Sequence, residues 1–410
     1  MNLTVEKIDV HKYGHLMDMQ KGLLEKAVLL PENKQLIWDF INFCNVESKI
    51  GEARIIKYMY ALRRIGELVD RPFKEMTDKD VNVLLARIED SKSLKGKPYS
   101  LNTLVDFRKA ISKFWRWLYF DEFNGDAPSP IKRMRIKIAN GKREPEIYTK
   151  EEIKAIINGM TTIRDKAFFS CLYDLQCRVS ELLSRQLRHI RYNEDGDIQI
   201  LIEADKTSTS HWETLFESVG NFTTWMRLHP LTNNPDAPLW FIRKRDKITP
   251  LSYATARKVF YNSCKRQGIR RLKIHTFRKS KATHDLADGV PVAYIEARGS
   301  WSKGSQSLRD CYLSIMQKDK DNAYRKKYQM PVNNGHAVPT ELKRCTRCEA
   351  IMESDTKFCA RCGMPANVKA AIEMKELDQK IAGLIDKDML SEIVKKFVME
   401  ELAKKTDGKT

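Results

Sequence analysis

The 410-residue sequence predicts a mainly α-helical protein with one small β-hairpin, a short cysteine-rich module and a helical tail. Apolar residues recur at helical spacing over most of the chain, which is the pattern of amphipathic helices. In one segment near residue 200, apolar residues instead recur at every second position, which is typical of strands. Four of the nine cysteines cluster between residues 345 and 362. These three observations predict several domains rather than one continuous bundle.

The charge balance indicates a polyanionic partner. Lysine and arginine number 73 against 54 aspartate and glutamate, a formal net charge of +19. Charge of this kind supplies affinity for nucleic acid without reading its sequence. The sequence has no run of about 18 apolar residues, which excludes a membrane-spanning helix. The first residues carry charges and no apolar core of a signal peptide, so we expect a reducing, cytoplasmic location.

The first third of the chain predicts an all-helical domain over residues 48–124, preceded by an N-terminal extension over residues 1–47. Helical periodicity runs from Lys49 to Val69, and Thr77 has the character of a helix N-terminus. A third helix follows residue 100, with Lys109, Lys113 and Arg116 on its polar face.

Residues 125–147 predict a basic interdomain linker. Glycines and prolines interrupt the helical pattern there, and Lys132, Arg133 and Arg135 add positive charge. The alternative is that the stretch is a solvated loop.

The next domain is predicted to be mixed but mainly helical, over residues 148–332. Thr149 and Glu152 form a capping-box pattern that starts it. Helical periodicity continues through residue 160 and again from 162 to 187. Alternation at Ile198, Ile200 and Ile202, followed by the strand-like HWETLFES, predicts a β-hairpin with Lys206 near its tip. Helices are expected over residues 252–267, 276–288 and 305–316.

Five side chains in this domain suit phosphodiester chemistry that needs no divalent metal. Arg178 and Arg278 can hold the non-bridging oxygens of a phosphate through planar, paired donors. Tyr312 can attack the phosphorus and store the bond energy in a phosphotyrosine ester. Lys206 on the hairpin can give a proton to the leaving oxygen. His275 lies three residues before Arg278. Each residue alone is weak evidence, whereas their order is informative.

The stretch from about residue 149 to 331 resembles the catalytic domain of the tyrosine recombinases, or phage-type integrases. CRVSELL resembles the first arginine box, with Glu181 at its acidic position, and HTFRKSKATH resembles the H-x-x-R box. Trp301 falls where most members have histidine, and Gln176 falls where a glycine is usual. Tyr312 falls on the nucleophile, with Tyr324 and Tyr328 as outside candidates. QKDKDNAYRKKYQMP is similar to the tail of the archaeal subgroup, and residues 48–124 resemble the core-binding domain more weakly.

This resemblance implies a fold and a reaction. It assigns Arg178, Lys206, His275, Arg278, Trp301 and Tyr312 to catalysis. The tyrosine would form a 3′-phosphotyrosine with DNA and leave a 5′-hydroxyl, with neither ATP nor a catalytic metal. The expected partners are double-stranded DNA and further copies of the chain, as a tetramer on paired sites, in a prokaryotic nucleoid. The resemblance also implies that basic residues of the helical domain and linker contact the DNA backbone: Lys109, Lys113, Arg116, Lys132, Arg133 and Arg135. Helper proteins are left open.

Three other activities fit the same pattern in part. A chromosome-dimer resolvase would use the same chemistry on one chromosomal site. A catalytically silent DNA-binding regulator could keep the fold, although the presence of every motif residue argues against it. A type IB topoisomerase would relax supercoils without a paired site.

The cysteine cluster over residues 340–366 predicts a zinc ribbon. It has two C-x₂-C pairs ten residues apart, and four thiolates leave no open position for water, so the zinc would be structural. The alternative is a redox pair. The ligands would be Cys345, Cys348, Cys359 and Cys362. Residues 367–410 then predict a helical tail with two apolar stripes.

Overall fold

The computed structural model describes residues 4–6, 8–93, 96–120, 128–136, 146–204 and 209–311, with shorter stretches between 321 and 376. The chain divides into two compact units. One unit contains residues 11–144, and the other contains residues 1–10 together with residues 145–410. The chain therefore passes between the units twice.

The first unit is helical. Local signals begin several of its helices: a proline opens α2, Thr77 and Asp80 form a capping box before α4, and the Ser100 hydroxyl accepts a hydrogen bond from the Thr103 amide before α5. Aromatic residues of α2 and α5 fill its core, with Phe40 and Phe114 in edge contact. The helices are α1 (Tyr13–Lys26), α2 (Pro31–Val46), α3 (Glu52–Gly66), α4 (Asp78–Asp90) and α5 (Leu101–Leu118).

The boundaries of this unit differ from those expected for the core-binding domain. The N-terminal extension contributes α1 and α2, whose apolar residues Leu24 and Phe40 are buried in the same core as α3. Residues 128–136 of the expected linker also pack here, through a 3₁₀ turn in which Ile131 is buried. The reason is apolar area: three helices alone leave a face exposed, and these segments cover it.

The second unit begins with a strand contributed by the N-terminus. β1 (Thr4–Val5) pairs in parallel with β6 (Lys247–Pro250), which pairs antiparallel with β5 (Phe241–Lys244). The Glu6 amide continues the pairing by donating to the Ile248 carbonyl over 3.1 Å. The Tyr253 amide donates to the Val10 carbonyl over 3.0 Å, so the N-terminus is held at two points.

The predicted hairpin is present. β2 (Ile190–Tyr192), β3 (Ile198–Ala204) and β4 (Thr209–Thr214) form an antiparallel sheet in the order β2-β3-β4. Ile200 pairs with Glu213 and Ile202 with His211, and because cross-strand partners share a face, these four side chains point to the buried side of the sheet.

Most helices of the second unit surround one core rich in phenylalanine and tryptophan, while Ala282, Ile295 and Leu308 form a smaller cluster among the last three helices. The Thr149–Glu152 capping box forms as predicted. The helices are α6 (Lys150–Asn158), α7 (Ile163–Asp174), α8 (Val179–Leu183), α9 (Val219–Arg227), α10 (Tyr253–Arg266), α11 (Thr276–Ala287), α12 (Val292–Arg298) and α13 (Gln306–Cys311). The helix expected over 162–187 is wrong as one element, because it breaks after Asp174.

The cysteine-rich module lies against this unit. β7 (Lys343–Arg344) and β8 (Ile351–Met352) form its hairpin, and β8 packs on α9. Arg227 of α9 donates a hydrogen bond to the Arg361 carbonyl. Most of the predicted helical tail lies outside the described residues. Among the helices that are described, none is long and apolar enough to cross a membrane.

Candidate functional site

The first arginine box lies at the break between α7 and α8. Gln176 has φ of 51°, in the left-handed region that favours glycine, so the turn keeps a glycine-like backbone without a glycine. Its side chain is buried and donates a hydrogen bond to Asp285 of α11. The cost of the strained backbone is thereby offset by a buried polar contact. The turn places Arg178 immediately before α8.

The second arginine lies in the first turn of α11. Arg278 is 1% exposed, and its guanidinium donates to the Gln176 carbonyl over 2.9 Å and to the Gly299 carbonyl over 2.6 Å. Two loops distant in sequence therefore meet at one side chain. A planar, forked donor group is suited to this task, whereas a lysine has one charged nitrogen.

Glu181 joins the two arginines. Its side chain is fully buried, and Oε1 lies 2.5 Å from Nη1 of Arg178. Its other oxygen accepts from the Arg178 amide over 2.6 Å and lies 3.9 Å from Nη1 of Arg278. One buried carboxylate between two guanidiniums leaves a net positive charge, which favours an anion at this position.

Trp301 covers Arg278. The guanidinium carbon lies 3.8 Å from the centroid of the indole ring, in a cation–π contact. The ring also lies directly over Gly299: a Cβ atom added there would lie 1.8 Å from an indole carbon. The absence of a side chain at Gly299 is therefore what allows the stack.

The structure locates some of the other predicted site residues. His275 caps α11 and lies one turn before Arg278. Tyr324 and Tyr328, the alternative nucleophiles, are both 63% exposed. The hairpin tip with Lys206, and Tyr312 beyond α13, lie outside the described residues.

The single cysteines Cys44, Cys171, Cys177 and Cys264 are buried. Burial raises the pKa of Cys177, next to Arg178, to about 12. Its thiol is therefore protonated at neutral pH and is a weak nucleophile.

The four clustered cysteines come together. Their sulfur atoms all lie within 4.8 Å of one another. Cys345 and Cys362 are 3.5 Å apart, and Cys348 and Cys359 are 3.6 Å apart, measured between sulfurs. Tetrahedral zinc with bonds of about 2.3 Å requires sulfurs roughly 3.8 Å apart, so the donor set fits.

The basic residues predicted to contact DNA lie in the other unit. Lys109 and Arg116 are exposed on α5, whereas Lys113 is half-buried with its nitrogen 5.8 Å from the Phe43 ring. Lys132, Arg133 and Arg135 are exposed.

Sequence reasoning missed three residues beside the arginine pair. Asp174 ends α7, Glu213 lies on β4 and Arg298 ends α12, and the three form one ion-pair cluster. No spacing signal could have found them, because they come from separate elements and resemble ordinary surface charges.

Comparison with known proteins agrees with this geometry. Residues 146–313 match the phage integrase family. The tyrosine recombinase XerA of Pyrococcus horikoshii is 24% identical over 276 residues, which cover 64% of this chain and 84% of the relative. Transposase A from transposon Tn554 of Staphylococcus aureus is 20% identical over 324 residues, covering 76% of this chain and 83% of that protein.

Solved structures share the fold. A lambda integrase tetramer bound to a Holliday junction has a TM-score of 0.54 at 14% identity, covering 72% of this chain and 80% of that one. The recombinase XerH bound to a palindromic difH substrate has a TM-score of 0.52 at 16% identity, covering 80% of this chain and all of that one.

The matched segment contains both arginine boxes, the hairpin and the loop with Trp301. Residues 146–313 are thus a domain of the phage integrase family. The chain is similar to tyrosine recombinases and to a transposase over about two thirds to three quarters of its length.

The Gly299–Trp301 contact makes a prediction about stability. In Gly299→Ala the new methyl group must displace the indole, and overpacking should lower the free energy of unfolding by about 1–3 kcal/mol. Chemical denaturation measures it. The double variant Gly299→Ala/Trp301→Ala should lose less free energy of unfolding than the two single variants lose in sum, because no indole is left for the new methyl group to displace. Gly22→Ala on α1, where nothing lies within 4 Å of the new atom, is the control and should lose no stability. Additive losses would contradict the proposed clash.

Proposed function

We propose that the protein is a site-specific DNA recombinase of the integrase type that cleaves and rejoins DNA through a 3′-phosphotyrosine. Tyr312 attacks the scissile phosphorus, its oxygen forms the new ester bond, and the bond to the 5′-oxygen breaks. A 5′-hydroxyl from a partner duplex later attacks the ester and releases the tyrosine. The phosphotyrosine ester conserves the energy of the broken phosphodiester bond, so the reaction needs neither ATP nor a metal.

The observation that supports this proposal best is the buried Glu181 between Arg178 and Arg278. It fixes the first guanidinium by an ion pair, while the Gln176 and Gly299 carbonyls fix the second. Positively charged donors held in place before the substrate arrives stabilise charge that develops on the phosphate oxygens. Arg178 keeps 23% of its side chain exposed, so it remains accessible to a ligand.

The other site residues would protonate the leaving oxygen or bind the phosphate. Lys206 would protonate the leaving 5′-oxygen from the hairpin tip. Trp301 cannot exchange protons, because an indole N–H only donates, so it would hydrogen-bond a phosphate oxygen and hold Arg278 by stacking. His275, one turn before Arg278, would donate to the same phosphate.

The expected DNA partner is a duplex held by both units. Lysines and arginines of the helical unit would contact the backbone: Lys109, Lys113, Arg116, Lys132, Arg133 and Arg135. The fold neighbours include a lambda integrase tetramer bound to a Holliday junction and XerH bound to a DNA substrate, which supports a tetramer on paired sites here. A chromosome-dimer resolvase of the same chemistry is the second candidate.

The cysteine cluster would hold one structural zinc. Four thiolates close the coordination sphere, so the metal would stabilise the module and take no part in strand cleavage. The module packs on α9, so folding of the ribbon would also secure that part of the second unit.

The nucleophile can be identified by trapping. The protein is incubated with DNA from its native source, denatured and digested with nuclease, and peptide mass spectrometry locates tyrosine that carries a nucleotide. We expect the adduct on Tyr312 and its loss in Tyr312→Phe. Trp301→Phe, which keeps a stacking ring, should retain a reduced yield. An adduct on Tyr324 or Tyr328 would refute the assignment, and sequence-specific binding without any adduct would favour the silent regulator.

The DNA-binding role of the helical unit can be tested through the salt dependence of Kd for DNA. Reversing Lys132, Arg133 and Arg135 to glutamate should flatten the plot of log Kd against log salt by about 0.9 for each phosphate that is no longer neutralised. Reversal of Lys21, Lys26 and Lys79, three exposed lysines of the same unit, applies the same charge change as a control. Equal slopes in the two triple variants would assign the first set to a solvated loop.

Zinc content can be measured directly. Protein purified without chelators should contain about one zinc per chain. Cys359→Ser should lose it and make residues 343–366 sensitive to protease, because the metal supplies the folding free energy of so small a module. Cys44→Ser, at a buried cysteine outside the cluster, should keep both properties. A metal-free wild-type protein that still resists protease would exclude a structural zinc site.

A further inference from the structure

Arg298 makes four hydrogen bonds to two other elements. Its Nε donates to the Asp174 carbonyl over 3.1 Å, and Nη2 donates to the Asp174 carboxylate over 3.1 Å and to the Thr214 carbonyl over 3.0 Å. Its Nη1 donates to Glu213 over 2.9 Å. The end of α12, the end of α7 and strand β4 are therefore joined at one side chain.

Each of these elements leads directly into a part of the proposed site. Two residues after Asp174, the chain forms the turn at Gln176 that precedes Arg178. Gly299, whose carbonyl holds Arg278, follows Arg298 immediately, and Trp301 is two residues further on. Strand β4 follows the hairpin tip that carries Lys206.

Further contacts strengthen the same junction. The Asp174 carboxylate accepts from the Ser218 amide and hydroxyl and from the Phe216 amide, all within 3.0 Å, which fixes the chain just after β4. His211 of β4 lies 3.4 Å from the Ser300 hydroxyl and 3.5 Å from Glu213. Strand β4 is thus held at His211, at its last two residues and just beyond its end.

The charges make the junction dependent on Arg298. Asp174 is 1% exposed, and the side chain of Glu213 is 15% exposed. Burial raises the pKa of Glu213, while Arg298 and His211 favour its charged form. Two nearly buried carboxylates beside each other repel unless a cation lies between them, and the forked guanidinium reaches both.

We propose that Arg298 is a positioning residue that holds β4, and with it the hairpin carrying Lys206, against the segments that carry Arg178 and Arg278. This inference rests on the proposed function. The four hydrogen bonds of Arg298 go to protein groups, so it would act through the segments that it holds. It sets the position of the proton donor relative to the phosphate-binding arginines, where a displacement of about 1 Å can lower a rate by a factor of about 100.

The test compares Arg298→Lys with Arg164→Lys in the full-length protein. Lysine keeps the positive charge at residue 298 but cannot bond two carboxylates and two carbonyls at once. Arg164 is a matched control, because its side chain is 14% exposed against 18% for that of Arg298. Arg164 also donates hydrogen bonds both to a carboxylate, that of Asp165, and to a backbone carbonyl, that of Phe241.

Hydrogen exchange gives a readout that does not depend on activity. In Arg298→Lys, amides of β3 and β4, of the turn at 175–178 and of residues 299–301 should exchange faster together, while those of α10 stay unchanged. Arg164→Lys should leave all three segments unchanged. Unchanged exchange in β4 of Arg298→Lys would overturn the inference whether or not the protein cleaves DNA.

Kinetics separate positioning from general destabilisation. On the duplex recovered by trapping, Arg298→Lys should cleave between about 10 and 100 times more slowly in a single turnover, with Kd for that duplex within about twofold of wild type. A substrate with sulfur in place of the scissile 5′-oxygen should reduce the defect, since a thiolate leaves without a proton. An equal defect on both substrates, or a matching loss of DNA binding, would contradict the role. Failure of the wild-type protein to form an adduct would instead refute the proposed function.

Discussion

The buried Glu181 between Arg178 and Arg278 is the interaction on which the proposed site depends. A carboxylate without solvent is stable only when it is paired and hydrogen-bonded. Glu181 orients the Arg178 guanidinium, and Arg278, which two carbonyls hold, adds a second positive charge 3.9 Å from the carboxylate. Removing one member would leave an uncompensated buried charge. The two arginine boxes, about 100 residues apart in the chain, are thereby coupled in stability as well as in chemistry.

Carbonyl groups at unusual turns complete the arrangement. Gln176 and Ser300 both have positive φ, at 51° and 55°. Each lies in one of the two loops whose carbonyls accept hydrogen bonds from Arg278. Backbone strain of this kind persists where surrounding contacts determine it, and such residues concentrate at functional sites. Here the surrounding contacts are the Gln176–Asp285 hydrogen bond and the approach of Ser300 to His211.

The chain passes between its two units twice. The N-terminal strand belongs to the unit with the arginines, while residues 11–144 form the other unit. A strand that precedes the helical unit in sequence therefore completes the sheet that contains β5 and β6.

The sequence alone determined the local parts of this protein. Capping residues started α4 and α6, alternation predicted the hairpin, and the two C-x₂-C pairs predicted the cysteine cluster, because each signal depends on residues close in the chain. The arginine boxes were found for the same reason. Only the tertiary structure decided that α1 and α2 join the helical core, that the N-terminus adds a strand elsewhere, and that Asp174, Glu213 and Arg298 meet. Those features arise from burial of apolar area and pairing of charge between distant segments, which no local pattern encodes.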